Sequence, residues 1–182
     1  MALAYSKGMA KGTQAPDFSL LGVDGQTWNL ASFQDAKVLV VVFTCNHCPY
    51  AIACEDRLIA IQQDYADQGV QLVAISANNA EAYPDDSYEA MQQRARDKAF
   101  PFPYVYDAEQ SVARAYDAMC TPDVFVFDAQ RHLVYNGRID DNWQNAEQVS
   151  RHDLREVLDS TLAGKGVAFD AVPSMGCSIK WK

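Results

Sequence analysis

Long apolar runs are missing from this chain. The longest, Val38–Phe43 (VLVVVF), is six residues, against roughly 20 for a membrane-spanning helix, so a helical span is excluded. The opening MALAYSKGMAKG lacks the apolar core of an export signal. A cytoplasmic location is therefore expected, where thiols are kept reduced. Positive charge is also scarce. Lys and Arg total 15 against 24 Asp and Glu, for a formal net charge of -9 and a pI of about 4.6. Nucleic acids and anionic membranes, which need a basic footprint, are not expected partners. A second metal-binding pair is absent too. There is one CxxC, no second, and no H-x₃₋₅-H. Cys45, His47 and Cys48 cannot converge on one zinc ion without strain, so neither a metal nor an organic cofactor is expected. No repeat, low-complexity tract or linker divides the 182 residues, which read as one domain with its oligomeric state left open.

What is present is a set of five cysteines: Cys45, Cys48, Cys54, Cys120 and Cys177. An odd number makes a poor disulfide framework and points to reactive or simply buried thiols. Around them the pattern is α/β. DFSLLGVDGQTWNL alternates on either side of Asp24-Gly25 and predicts a β-hairpin. Val38–Phe43, apolar throughout, predicts a strand buried on both faces. A helix follows, with Ala51, Cys54, Leu58, Ile61 and Tyr65 on one stripe, and Gly69 ends it before the strand VQLVAIS. A second helix is expected over 87–99, a short strand at YVY, and a brief helix over 112–118. Antiparallel strands VFVFD and HLVYNGR come next, then a last helix over about 146–162. The first dozen residues should be loosely held. Arg138, Asp140 and Asp141 should form a solvated turn.

The pair Cys45-Asn46-His47-Cys48 sits where a buried strand hands over to a helix. That position predicts Cys45 at the helix N-terminus, where unpaired N–H groups favour a thiolate able to attack a disulfide. Cys48, on the inward stripe, should be the more sheltered, resolving thiol. Protonated His47 would stabilise the thiolate further, or else be a plain loop histidine. Pro49 is tolerated in the first turn. Cys54 belongs to the apolar stripe and reads as core.

Four segments resemble the thioredoxin-like superfamily, in its AhpC/TSA, peroxiredoxin-like branch: APDFSLLGVDGQTWNLASF, VLVVVFTCNHCP, CTPDVFVFD and HLVYNGRIDDN. They occur in order over about 15–163, and the tail 164–182 resembles an extension found in a bacterial thioredoxin family subgroup. The resemblance implies a central mixed sheet flanked by helices. It also implies a cis bond at Thr121-Pro122, facing the cysteines and offering backbone edges to a substrate chain. The Thr and Arg of a peroxidatic site are not found at the matching positions, which hold Cys45 and Pro122. Dithiol–disulfide exchange is thus expected, with a protein or small-molecule disulfide or thiol as substrate and a separate electron donor. A thiol-dependent peroxidase with an antioxidant role and a redox-inactive peptide-binding module are the alternatives. Cys120, two residues before Pro122, could relay the disulfide or be a buried apolar group. Cys177 could fold back as a resolving thiol, though packing alone is the plainer expectation.

Overall fold

A computed structural model describes residues 2–182. Strands β1 (Leu3–Tyr5), β2 (Ser19–Gly22), β3 (Thr27–Asn29), β4 (Val38–Phe43), β5 (Val70–Ser76), β6 (Tyr104–Tyr106), β7 (Cys120–Thr121), β8 (Asp123–Phe127), β9 (Leu133–Gly137) and β10 (Met175–Ser178) are joined by four α-helices. These are α1 (Pro49–Tyr65), α2 (Tyr88–Lys98), α3 (Ser111–Ala115) and α4 (Asp153–Leu162). Seven strands form a mixed sheet in the order β3-β2-β6-β5-β4-β8-β9, and β1-β10-β7 form a small second one. Among the described residues, no helix is long and apolar enough to cross a membrane.

β4 explains the layering. It pairs in parallel with β5 and antiparallel with β8, so both of its edges are satisfied. Because side chains alternate along a strand, its six residues serve two cores. Val38, Val40 and Val42 pack with Leu58 and Ile61 of α1 and Leu154 and Leu158 of α4. Leu39, Val41 and Phe43 pack with Phe33 and with Val112 and Ala113 of α3. Each such fully buried side chain contributes roughly 2 kcal/mol. The unbroken apolar run is therefore the signature of a strand covered on both faces.

The hairpin forms as expected, with Leu20 opposite Trp28 and Gly25 at φ 80° in the turn. α2 is capped by Ser87, whose side chain accepts from the Ala90 N–H, and ends on Ala99 in the left-handed region. Four expectations need correction. The last α-helix begins only at Asp153: residues 146–148 make a separate 3₁₀ turn capped by Asn145, whose side chain accepts from the Glu147 N–H, and Asp141 then accepts from the Ser150 N–H. α3 stops at Ala115, since Asp117 adopts φ 51°. Asp140 is buried against Arg57 (2.6 Å), and Arg138 pairs with buried Asp153, so this turn is an ion-paired support rather than a solvated loop. Nor is the N-terminus loosely held: β1 pairs antiparallel with β10, register Leu3 to Cys177 and Tyr5 to Met175. The charged loops therefore reach inward, and the two ends of the chain meet beside the cysteine turn.

Candidate active site

The cysteine turn is built by the end of β4 and the start of α1. Cys45 lies two residues beyond β4, whereas Cys48, with φ -77° and ψ 121°, is the N-cap of α1 and Pro49 its first helical residue. This corrects the placement expected from sequence. Proline fixes the helix start at itself, so the helix terminus falls on Cys48 and not on Cys45. Nor is one thiol exposed and the other sheltered: Cys45 is 2% exposed and Cys48 fully buried.

Thr121 completes the site from the opposite side. Its Oγ1 lies 3.3 Å from Cys45 Sγ, and its carbonyl oxygen lies 3.1 Å from Cys48 Sγ. The Thr121–Pro122 bond is cis, as expected. When protonated, Cys48 donates to that carbonyl. When ionised, it accepts from the Cys45 thiol, which is the main reason its pKa falls from 9.0 to about 4, against the opposing effect of burial. Cys177, Thr121 and the Ala51 N–H at the helix start add to the fall. Cys45 moves the other way. Its proton is held by the bond to Cys48, by burial and by the negative charge of Asp86. The helix start and the neighbouring thiol thus favour a thiolate on Cys48 over one on Cys45.

His47 is held between a carboxylate and an aromatic ring. Its Nδ1 lies 2.6 Å from Asp86 Oδ2, and its ring stacks on Tyr83 at 5.2 Å and 7°. Asp86, fully buried, also accepts from the Asn46 N–H (2.7 Å) and from Asn78 Nδ2 (2.7 Å). The side chain of Asn46 is held in turn by the Asp85 carbonyl and the Tyr104 hydroxyl. His47 thereby fixes the turn. Asp86 and Asn78 are the site residues that sequence reasoning missed, and the only signal was the acidic pair ahead of α2.

A His47 ring nitrogen, Cys45 Sγ and an Asp86 oxygen lie within 4.8 Å of one another, a donor set that zinc accepts in principle. His47 Nδ1 and Asp86 are already engaged with each other. Two donors on a tetrahedral zinc sit about 3.3 Å apart, and the 2.6 Å His47–Asp86 contact is a hydrogen bond. Asp86 already serves three donors.

The remaining thiols separate clearly. Cys54 lies in the core with Leu58 and Ile61, and burial pushes it up to about 12. Cys120 is adjacent to Thr121 on β7 and so points to the opposite face. Its sulfur donates to the carbonyls of Pro122 and Ser174, and burial raises its pKa. Cys177, the cross-strand partner of Thr121, shares the face of the pair and packs with Cys45, Cys48 and Ala51. Proximity in sequence to Pro122 thus misleads. The tail cysteine meets the pair, and Cys120 does not. Beside Pro122 a cleft of about 180 Å³ runs between Cys54, Ile139, Trp143, Pro173 and Met175.

The chain is similar to known proteins in sequence and fold. A model of the AhpC/TSA family matches residues 11–136. A conserved protein from Geobacillus kaustophilus, of known crystal structure, is 42% identical; the match covers 100% of this chain and 97% of that one with a TM-score of 0.96. Thioredoxin-like protein YneN of Bacillus subtilis (strain 168) is 29% identical over 129 residues, 68% of this chain and 71% of YneN. A thiol:disulfide interchange protein of the thioredoxin family from Chlorobium tepidum TLS shares the fold, at 21% identity and a TM-score of 0.59 over 71% of this chain and 87% of that one.

Proposed function

The chain belongs to the AhpC/TSA family, and from that membership we propose that it is a thiol–disulfide oxidoreductase working by dithiol–disulfide exchange through Cys45 and Cys48. Family and relatives support a redox function in general. The observation that carries the finer reading is the position of Cys48: at a helix N-terminus, packed with a second thiol three residues away, with Thr121 against both sulfurs. Thiolate is the attacking species in exchange, and these contacts favour it on Cys48.

In this scheme Cys48 attacks, the reverse of the order that sequence position suggested. Its thiolate displaces one sulfur of an organic or protein disulfide, forming a mixed disulfide and releasing one thiolate. Cys45 gives its proton to the departing thiolate and attacks Cys48 Sγ, which releases the second substrate sulfur. The products are a Cys45–Cys48 disulfide, one substrate thiol and one substrate thiolate, which takes its proton from water. A dithiol electron donor returns the pair to its reduced state by the same steps reversed. Thr121 orients both sulfurs, and His47 with Asp86 holds the turn. Because Cys48 is stabilised as a thiolate, the reduced form is favoured and the couple is less reducing than one with ordinary thiols.

Mass-spectrometric mapping in glutathione buffers of graded potential tests this reading. A Cys45–Cys48 bond that titrates as a two-electron couple is the expected result. Cysteines 45 and 48 that stay reduced and unlinked in the most oxidising buffer would sink it.

A further inference from the structure

The edge of β7 next to the sulfurs is occupied. β10 pairs with it antiparallel, Cys177 opposite Thr121 and Ser178 opposite Cys120. The approach is close enough to demand glycine: a Cβ on Gly176 would stand 2.0 Å from the Thr121 carbonyl oxygen. The strand is held from several directions. Its other edge pairs with β1, the Ser174 N–H donates to Ser6 Oγ (2.9 Å), and the Lys180 N–H donates to Asn78 Oδ1 (2.8 Å), the residue that also holds Asp86. Beneath it Cys45, Cys48 and Cys177 are all buried.

A strand added to an open edge donates and accepts through its main chain and aims alternate side chains at the adjoining face. Thr121 touches both Cys45 and Cys48, so whichever residue stands opposite Thr121 is delivered to the sulfurs. In this chain that residue is a cysteine. We propose that β10 lies in the place of a substrate strand, and that Cys177 is a third redox thiol, able to form a disulfide with Cys48. This rests on the exchange reading above. The electron count closes with an organic disulfide as oxidant. Cys48 attacks it and becomes a mixed disulfide; Cys177 then attacks Cys48 Sγ, its proton passing to the thiolate that left first, and the second substrate thiolate departs. From a Cys45–Cys48 disulfide the same attack needs no oxidant. The Cys45–Cys48 bond breaks, a Cys48–Cys177 bond forms, and Cys45 takes the proton.

The test uses the full chain carrying Cys45→Ser, exposed to oxidised glutathione, then quenched with acid, alkylated and mapped at intervals. A glutathione adduct on Cys48 should appear and give way to a Cys48–Cys177 disulfide. Adding Cys177→Ala should lengthen the life of that adduct by about tenfold or more, since an intramolecular thiol of high effective concentration is lost. The unsubstituted chain, oxidised partway, should contain both the Cys45–Cys48 and the Cys48–Cys177 disulfide. An adduct that persists on Cys48 while Cys177 is alkylated throughout overturns the third-thiol role and leaves the exchange reading intact. No adduct on Cys48, together with no Cys45–Cys48 bond in the unsubstituted chain, overturns both.

Discussion

Cys48 Sγ lies 3.1 Å from the carbonyl oxygen of Thr121, at the first turn of α1. The sulfur thus sits between a carbonyl, which favours its protonated form, and a helix terminus with a neighbouring thiol, which favours its ionised form. The neighbouring thiol pulls the pKa down against burial, and the reactivity of the pair depends on that balance.

The reduced protein should carry one thiolate at neutral pH. Absorbance near 240 nm follows the charge without requiring access to the buried sulfur. One transition is expected close to pH 4, where Cys48 takes up its proton, absent in Cys48→Ala and kept in Cys54→Ala. The same stabilisation should make the Cys45–Cys48 couple less reducing than the roughly -270 mV of thioredoxin. A first thiol transition at pH 8 or above would refute the charge placement.

Asp123 is fully buried next to Pro122, and burial lifts its pKa from 3.8 to about 7 although the Met119 N–H and Asn136 donate to it. The folded chain therefore keeps a proton there that the unfolded chain has lost. The stability this supplies is complete below pH 3.8 and disappears as pH rises through about 7. Urea titrations of the native protein and Asp123→Asn should diverge across that window, the difference between them changing by up to about 4 kcal/mol. Parallel curves from pH 4 to 7 would show that the carboxyl titrates normally.

Asp86 holds three donors from a fully buried position. Asp86→Ala strands the Asn46 N–H, His47 Nδ1 and the Asn78 amide, and should cost about 3 kcal/mol or more. It also removes the charge that keeps the Cys45 proton in place, so the Cys45 pKa should fall. Denaturation of the reduced form and alkylation rates of Cys45 read these two effects separately. A loss below about 1 kcal/mol would mean that the turn does not depend on this carboxylate.

Gly176→Ala should lift β10, because the new methyl would collide with Thr121 main chain that cannot retreat. Iodoacetamide should then label Cys48 and Cys177 faster than in the parent chain, with the seven-stranded sheet unchanged by circular dichroism. Unaltered labelling rates would indicate that the close approach is relieved by movement elsewhere.

Much of this fold can be read along the chain because it is written in local patterns. The apolar run of β4, the Asp24-Gly25 turn and the stripe from Ala51 to Tyr65 each identify an element without reference to any other. What is illegible is set by contacts between distant residues. β1 and β10 are three and four residues long, too short for a period, and come from opposite ends of the chain. Asp86 looks like any acid ahead of a helix until the fold brings it under the cysteine turn. The same holds for Cys177. Its spacing from Cys48 in sequence carries no information, whereas its register against Thr121 decides everything about it. The assignment of the helix start was legible in principle, because Pro49 marks the first turn and leaves Cys48 as the cap.

The pairing of β1 with β10, and of β10 with β7, has a mechanical meaning. These strands lie in series with the reactive sulfurs: pulling on residues 3–5 would load β10, which packs Cys177 against Cys45 and Cys48. A fusion, tag or surface attachment at either terminus is therefore not a neutral handle. It acts on the closure of the site, and thiol reactivity becomes a gauge of the force borne by the ends of the chain.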